Sequence, residues 1–137
     1  MLAIMLGLAL AVAPQANAND AVAGRWKTET RNGVIEIQRC GASICGRLIT
    51  SDGLRTNPDT RDVNNADAKL RTRQLRGLQI LYGFKAVAKG WSGGKIYNAE
   101  DGKTYNAEIT LAGPDQLKLK GCVFWPLCKT QTWTRIR

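Results

Sequence analysis

The sequence predicts an all-β chain, folded as a small antiparallel sandwich or up-and-down barrel of about eight strands. Three observations carry that expectation. Apolar and polar residues alternate with period two through most of the chain after Gly24. Turn formers such as Asn32-Gly33, Asp101-Gly102 and Gly113-Pro114-Asp115 punctuate the alternation. The cysteines fall in two local pairs, Cys40 with Cys45 and Cys122 with Cys128, where each can staple a hairpin end.

Strands are expected in the following order. Arg25–Thr30 carries Trp26 among polar residues and turns at Asn32-Gly33, both tolerant of positive φ. In Val34–Arg39, Ile35 and Ile37 alternate against Glu36 and Gln38. Gly41-Ala42-Ser43 turns the chain into Ile44–Thr50. From Ser51 to Arg76 the alternation stops, and Asn57-Pro58-Asp59 and Asn64-Asn65 are turn signals. Lys69–Arg76 within that stretch is expected as a short helix or turn, and so long an excursion is often functional. Gly77–Phe84 resumes an apolar strand, with Leu78, Ile80 and Tyr82 on one parity. Lys95-Ile96-Tyr97 leads to the Asp101-Gly102 hairpin, and in Thr104–Leu111 Tyr105, Ala107, Ile109 and Leu111 share a face. Gln116–Val123 alternates Leu117 and Leu119 with Lys118 and Lys120, and Thr130–Ile136 closes the set.

Composition narrows the function. The chain has 137 residues, with 20 Lys+Arg against 11 Asp+Glu and a net charge of +9. It contains no histidine, which excludes a Ser-His-Asp triad, a Cys-His dyad and a His-ligated metal. No cofactor or metal is expected, and no nucleic-acid motif accompanies the positive charge. An anionic membrane surface or other envelope component suits that charge better.

The N-terminus reads as an export signal. Leu2–Ala13 has no charged or polar side chain, is too short for a span of about 20 residues, and is followed by Ala16-Asn17-Ala18. Residues 1–18 are therefore expected as a signal peptide and 19–137 as one barrel domain, periplasmic or secreted and not membrane-spanning. No Lys or Arg precedes the apolar run, as it would if the true start lay upstream. In an oxidising compartment the four thiols are expected as the disulfides Cys40–Cys45 and Cys122–Cys128, since sequence neighbours meet most easily. A four-thiolate zinc site is the competing arrangement. A monomer or weak dimer is expected.

Several phrases carry a family resemblance. They are Gly24-Arg25-Trp26, Cys45-Gly46-Arg47, Asp62-Val63-Asn64-Asn65, Leu70-Arg71-Thr72-Arg73, Trp91-Ser92-Gly93-Gly94-Lys95-Ile96-Tyr97, Asp101-Gly102-Lys103-Thr104-Tyr105 and Gln131-Thr132-Trp133-Thr134-Arg135. In that order they resemble the exported bacterial family called domain of unknown function 2147, across nearly the whole chain after the leader. Ala66, Gln74 and Ala99 stand where the family often has proline. The resemblance implies a small lipocalin-like barrel and no settled activity. It also implies a closure at the barrel base, in which Arg135 lies over the indole of Trp26, worth about 0.5–2 kcal/mol.

Candidate ligand-binding residues follow. Trp91, Tyr97 and Tyr105 sit in and beside one hairpin and suit a pocket wall, with plain core filling as the alternative. Arg71 and Arg73, in a run with Lys69 and Arg76, suit an anionic head group, with ion pairing to Asp59, Asp62 and Asp67 as the alternative. Asp62 is expected to brace the long loop and Asp101 to form a turn. No catalytic motif is present, so no enzyme is expected. The expected function is binding of a small apolar or amphipathic ligand. The alternative is an interaction protein whose basic surface meets an acidic macromolecule or anionic membrane.

Overall fold

A computed structural model describes residues 7–9 and 18–137. The expected signal peptide lies largely outside these residues. Nine strands form one sheet: β1 (Gly24–Lys27), β2 (Val34–Cys40), β3 (Ser43–Thr50), β4 (Gln79–Tyr82), β5 (Lys85–Val87), β6 (Gly90–Asn98), β7 (Lys103–Leu111), β8 (Gln116–Phe124) and β9 (Leu127–Ile136). Between β3 and β4 lie the helix α1 (Asp52–Thr56) and a 3-10 turn at Ala68–Leu70, and another 3-10 turn, Ala18–Val22, precedes β1.

The sheet order is β4-β3-β2-β1-β9-β8-β7-β6-β5, and a further β4–β6 pairing closes it. Eight antiparallel strands make a barrel, and β5 is an extra strand on the same edge of β6 that β4 occupies. Leu81 pairs with Ile96 and Ala86 with Trp91, so β4 and β5 act as one strand broken at Gly83-Phe84. That closure decides for the barrel over the sandwich. It also removes the sheet edges that would otherwise template pairing with another chain.

The period-two residues face inward in register. Ile35 and Ile37 lie opposite Leu48 and Gly46, and Ile109 and Leu111 lie opposite Leu119 and Leu117. One end of the barrel is solid. Val22, Trp26, Ile37, Ile44, Leu81, Phe84, Trp91, Ile109 and Leu117 are all buried there in one cluster. Both disulfides form, Cys40–Cys45 beside the solid end and Cys122–Cys128 in the β8–β9 hairpin.

At the solid end the Arg135 guanidinium lies 4.3 Å from the centre of the Trp26 ring. It donates to the carbonyls of Pro114 and Ala23 at 2.9 Å each, and also to that of Ala21. The Trp26 indole N–H donates to the Val22 carbonyl at 2.9 Å. Gly24 has φ of 129°, and a Cβ there would sit 2.8 Å from an Arg135 nitrogen. Only glycine leaves room for the arginine to cross the strand end.

Several local expectations differ from the structure. The first hairpin turns at Arg31 and Asn32, whose φ values are 58° and 48°, one residue earlier than Asn32-Gly33. The Arg31 backbone is held there because its carbonyl accepts from the Asp52 amide at 2.9 Å. Tyr82 is exposed while Ile80 and Leu81 are both buried, because a register shift at Gly46/Arg47 breaks the alternation of β4. β9 begins at Leu127 rather than Thr130, since the Cys122–Cys128 bridge extends the hairpin ladder.

Candidate functional site

The other end of the barrel is open. A cavity of about 770 Å³ enters it, lined in its depth by Ile35, Leu48, Ile80, Ile96, Leu119 and Trp133. Ile35, Ile80, Leu119 and Trp133 also belong to the core, so the solid half forms the cavity floor. Gly121 lies on the wall, where a Cβ would be 4.0 Å from Ile96 and Tyr105, in ordinary contact. Such a volume is the size of a small-molecule site, and an eight-stranded barrel is just wide enough to hold one ligand.

The rim is built from the turns at that end: Arg31 and Gly33, Ser51 and Leu54, Arg61, Val63 and Asn64 of the long excursion, and Asn98 to Glu100. Arg31 and Glu100 form a 2.7 Å ion pair between the β1–β2 and β6–β7 turns. Lys129, opposite Gly121 on the wall, has no ion-pair partner among the described residues. Lys129, Gln131 and the tyrosines are among the polar groups that line the cavity with the apolar base.

The excursion is fastened to the barrel by a buried polar cluster. Asp62 is 1% exposed. Its carboxylate accepts from the Tyr97 hydroxyl at 2.6 Å and from Asn65 Nδ2 and Arg73 Nε at 2.9 Å each. The Arg73 guanidinium lies 5.3 Å from the centre of the Tyr97 ring. Arg71 Nε donates to the Asn65 carbonyl at 2.8 Å. Burial raises the Tyr97 hydroxyl above its ordinary value of 10.0, and the Asp62 carboxylate that accepts its proton adds to the rise. No buried side-chain nitrogen or oxygen among the described residues lacks a partner. The cluster is a fully satisfied fastening, which is the only energetically cheap way to bury a carboxylate.

A second fastening holds the same loop. Asn64 Nδ2 donates to the carbonyls of Ala99 and Glu100 at 3.3 and 3.1 Å. A Cβ on Gly102 would lie 1.8 Å from the Asn64 carbonyl oxygen, so the loop rests directly on the Asp101-Gly102 turn.

The sequence-derived candidates separate into two groups. Tyr97 and Tyr105 line the cavity. The Tyr105 hydroxyl is bonded to Asp101, a bond that raises its pKa, with a smaller contribution from burial. Trp91 does not line the cavity: it is fully buried in the solid end, with Arg39 5.2 Å from its ring centre. The physical reason is register. Trp91 pairs with Ile109 near the start of β6, and the strand reaches the open half only after the irregularity at Trp91/Gly94. Arg71 and Arg73 do not face the cavity either, because both are engaged in the Asp62–Asn65 fastening. The cationic groups on the cavity lining are Arg31, Arg61 and Lys129. Gln131 and Trp133 also line the cavity and were not among the sequence-derived candidates; their shared parity on the last strand, opposite Leu119 and Leu117, is the signal that points to them.

The family model described as uncharacterized protein conserved in bacteria, DUF2147, matches residues 24–135. Among solved structures the chain is similar to protein HP1028 from the human pathogen Helicobacter pylori, described as belonging to the lipocalin family. The two are 24% identical with a TM-score of 0.76, over 85% of this chain and 83% of that one. No curated protein matches.

Proposed function

This chain belongs to the DUF2147 family of uncharacterized bacterial proteins, and from that premise we propose that it is a binding module for a small apolar or amphipathic molecule. The observation that carries the proposal is the one-ended cavity of about 770 Å³ with an apolar base of Ile35, Leu48, Ile80, Ile96, Leu119 and Trp133. An apolar chain seated there loses its contact with water, which supplies the affinity. Lys129 and Gln131 line the same cavity and suit an anionic or hydrogen-bonding head. The protein acts as a binder rather than an enzyme, since its buried acid, Asp62, is engaged by three partners and lies off the cavity lining. The two disulfides support a place outside the cytoplasm. Among the described residues no helix is long and apolar enough to cross a membrane.

The test uses dansyl-labelled undecanoic acid as the probe. The wild-type protein is expected to bind it with a dansyl blue shift and energy transfer from Trp133, which lines the cavity. Gly121→Leu fills space at the wall, where a Cβ meets Ile96 and Tyr105 only at ordinary contact distance. That variant should fold normally and bind at least about tenfold more weakly. Absence of probe binding by the wild type, or unchanged binding by the folded variant, overturns the proposal. Native mass spectrometry of the protein purified from its own host then gives the mass of the natural occupant.

A further inference from the structure

The β8–β9 hairpin ends in an apolar tip that the cavity does not use. The ladder between β7 and β8 stops at Asn106–Cys122, whereas β8 and β9 stay paired to Phe124–Leu127. The tip therefore departs from the ladder with its neighbouring strand. Val123, Phe124, Trp125 and Leu127 are 59%, 59%, 79% and 57% exposed. The Cys122–Cys128 bridge clamps the base of this loop. No charged residue lies between the two cysteines.

We infer that Val123–Leu127 is a membrane-docking tip, which enters the interface of an anionic bilayer and holds the barrel mouth against it. Charge complementarity selects this occupant. Lys120 and Lys129 lie within two residues of Cys122 and Cys128 on the strands that carry the tip, and no acidic side chain stands between them in the chain. Lys129 is exposed and Lys120 half-buried. An apolar wedge flanked by lysines is the pattern that binds anionic lipid: the apolar groups enter the acyl boundary and the cations meet phosphates. Tryptophan prefers that boundary because its ring is large and its N–H stays near water. The tip also adjoins the mouth, since Lys129 follows Cys128 and lines the cavity. Docking brings the mouth to the place where amphipathic molecules partition, and that consequence alone rests on the ligand-binding proposal.

The experiment is flotation with vesicles of phosphatidylcholine, with and without about a third of phosphatidylglycerol. Wild-type protein should float with the anionic vesicles at least about tenfold more than with the neutral ones. Its tryptophan emission should shift to the blue, because Trp26, Trp91 and Trp133 are already buried and only Trp125 can change environment. The double variant Phe124→Ser, Trp125→Ser should lose at least about tenfold in vesicle binding while keeping its circular dichroism. It should also bind dansyl-labelled undecanoic acid in solution as the wild type does, which separates failure of the tip from failure of the cavity. Three results overturn the inference: no binding to anionic vesicles, binding without a tryptophan shift, or full binding by the variant. The last of these would mean that surface charge alone is responsible. If vesicles fail but the tip captures a protein partner, the inference is likewise overturned.

Discussion

The Tyr97 hydroxyl donates a 2.6 Å hydrogen bond to Asp62 Oδ1, 35 residues away in the chain, and so ties the long excursion to the barrel rim. Asp62→Ala removes the acceptor shared by Tyr97, Asn65 and Arg73. Arg73 is a third exposed, so water screens its share of the loss. The expected cost is about 2–3 kcal/mol, read from the denaturant midpoint. Amide exchange should quicken first in residues 57–76, with the solid end of the barrel protected.

Tyr97 also makes the fastening sensitive to alkaline pH. The native site favours the neutral phenol, so its pKa is raised on folding. The resulting stability is complete below the ordinary value of 10.0 and is lost as pH rises through the higher native value. Tyr97→Phe should cost about 1–2 kcal/mol at neutral pH. It should also flatten the alkaline part of the stability profile relative to the wild type. Equal slopes for the two proteins above the tyrosine range would rule this out.

Gly102→Ala places a methyl group 1.8 Å from the Asn64 carbonyl oxygen at a φ of 70°. Neither neighbour is a flexible side-chain end, so the loop must move off the turn. A loss of about 2 kcal/mol is expected, together with faster proteolysis within the excursion. A thermal midpoint matching the wild type would show that the loop does not rest on this turn.

Arg135 is 15% exposed and combines three carbonyl contacts with stacking on Trp26. Lysine keeps the charge but not the planar fork. Arg135→Lys should therefore cost about 1–3 kcal/mol, and the change should persist at high salt, where a simple surface ion pair would be screened. Dansyl-labelled undecanoic acid should bind to the folded variant unchanged, because the closure is at the opposite end from the cavity.

Much of this protein was legible in its sequence because the relevant physics is local. Strand alternation in β7 needs only neighbouring residues, and Ala107 and Ile109 are buried as that alternation predicts. The cysteine pairs were readable because each closes a short loop. Asp101-Gly102 was readable as a turn because positive φ favours glycine, and Gly102 has it.

The tertiary structure decided the rest. The pairing of β4 with β6 converts an open meander into a barrel, and no local pattern specifies that pair. The same closure divides one continuous apolar face into a packed half and an open half. Trp91 went to the packed half and Tyr105 to the open one, although both belong to the same hairpin face. Arg73 forms the ion pair with Asp62 that the sequence offered as the alternative to a ligand contact, whereas the bond from Arg71 to the Asn65 carbonyl was not readable, since it forms only when the excursion folds back on itself. The exposure of Phe124 and Trp125 was likewise decided by the tertiary structure. They are exposed because the hairpin leaves the β7 ladder after Cys122 and so loses that strand as a wall to pack against. Alternation and turn chemistry set the strands, whereas burial depends on which distant residues the closed sheet brings to each side chain.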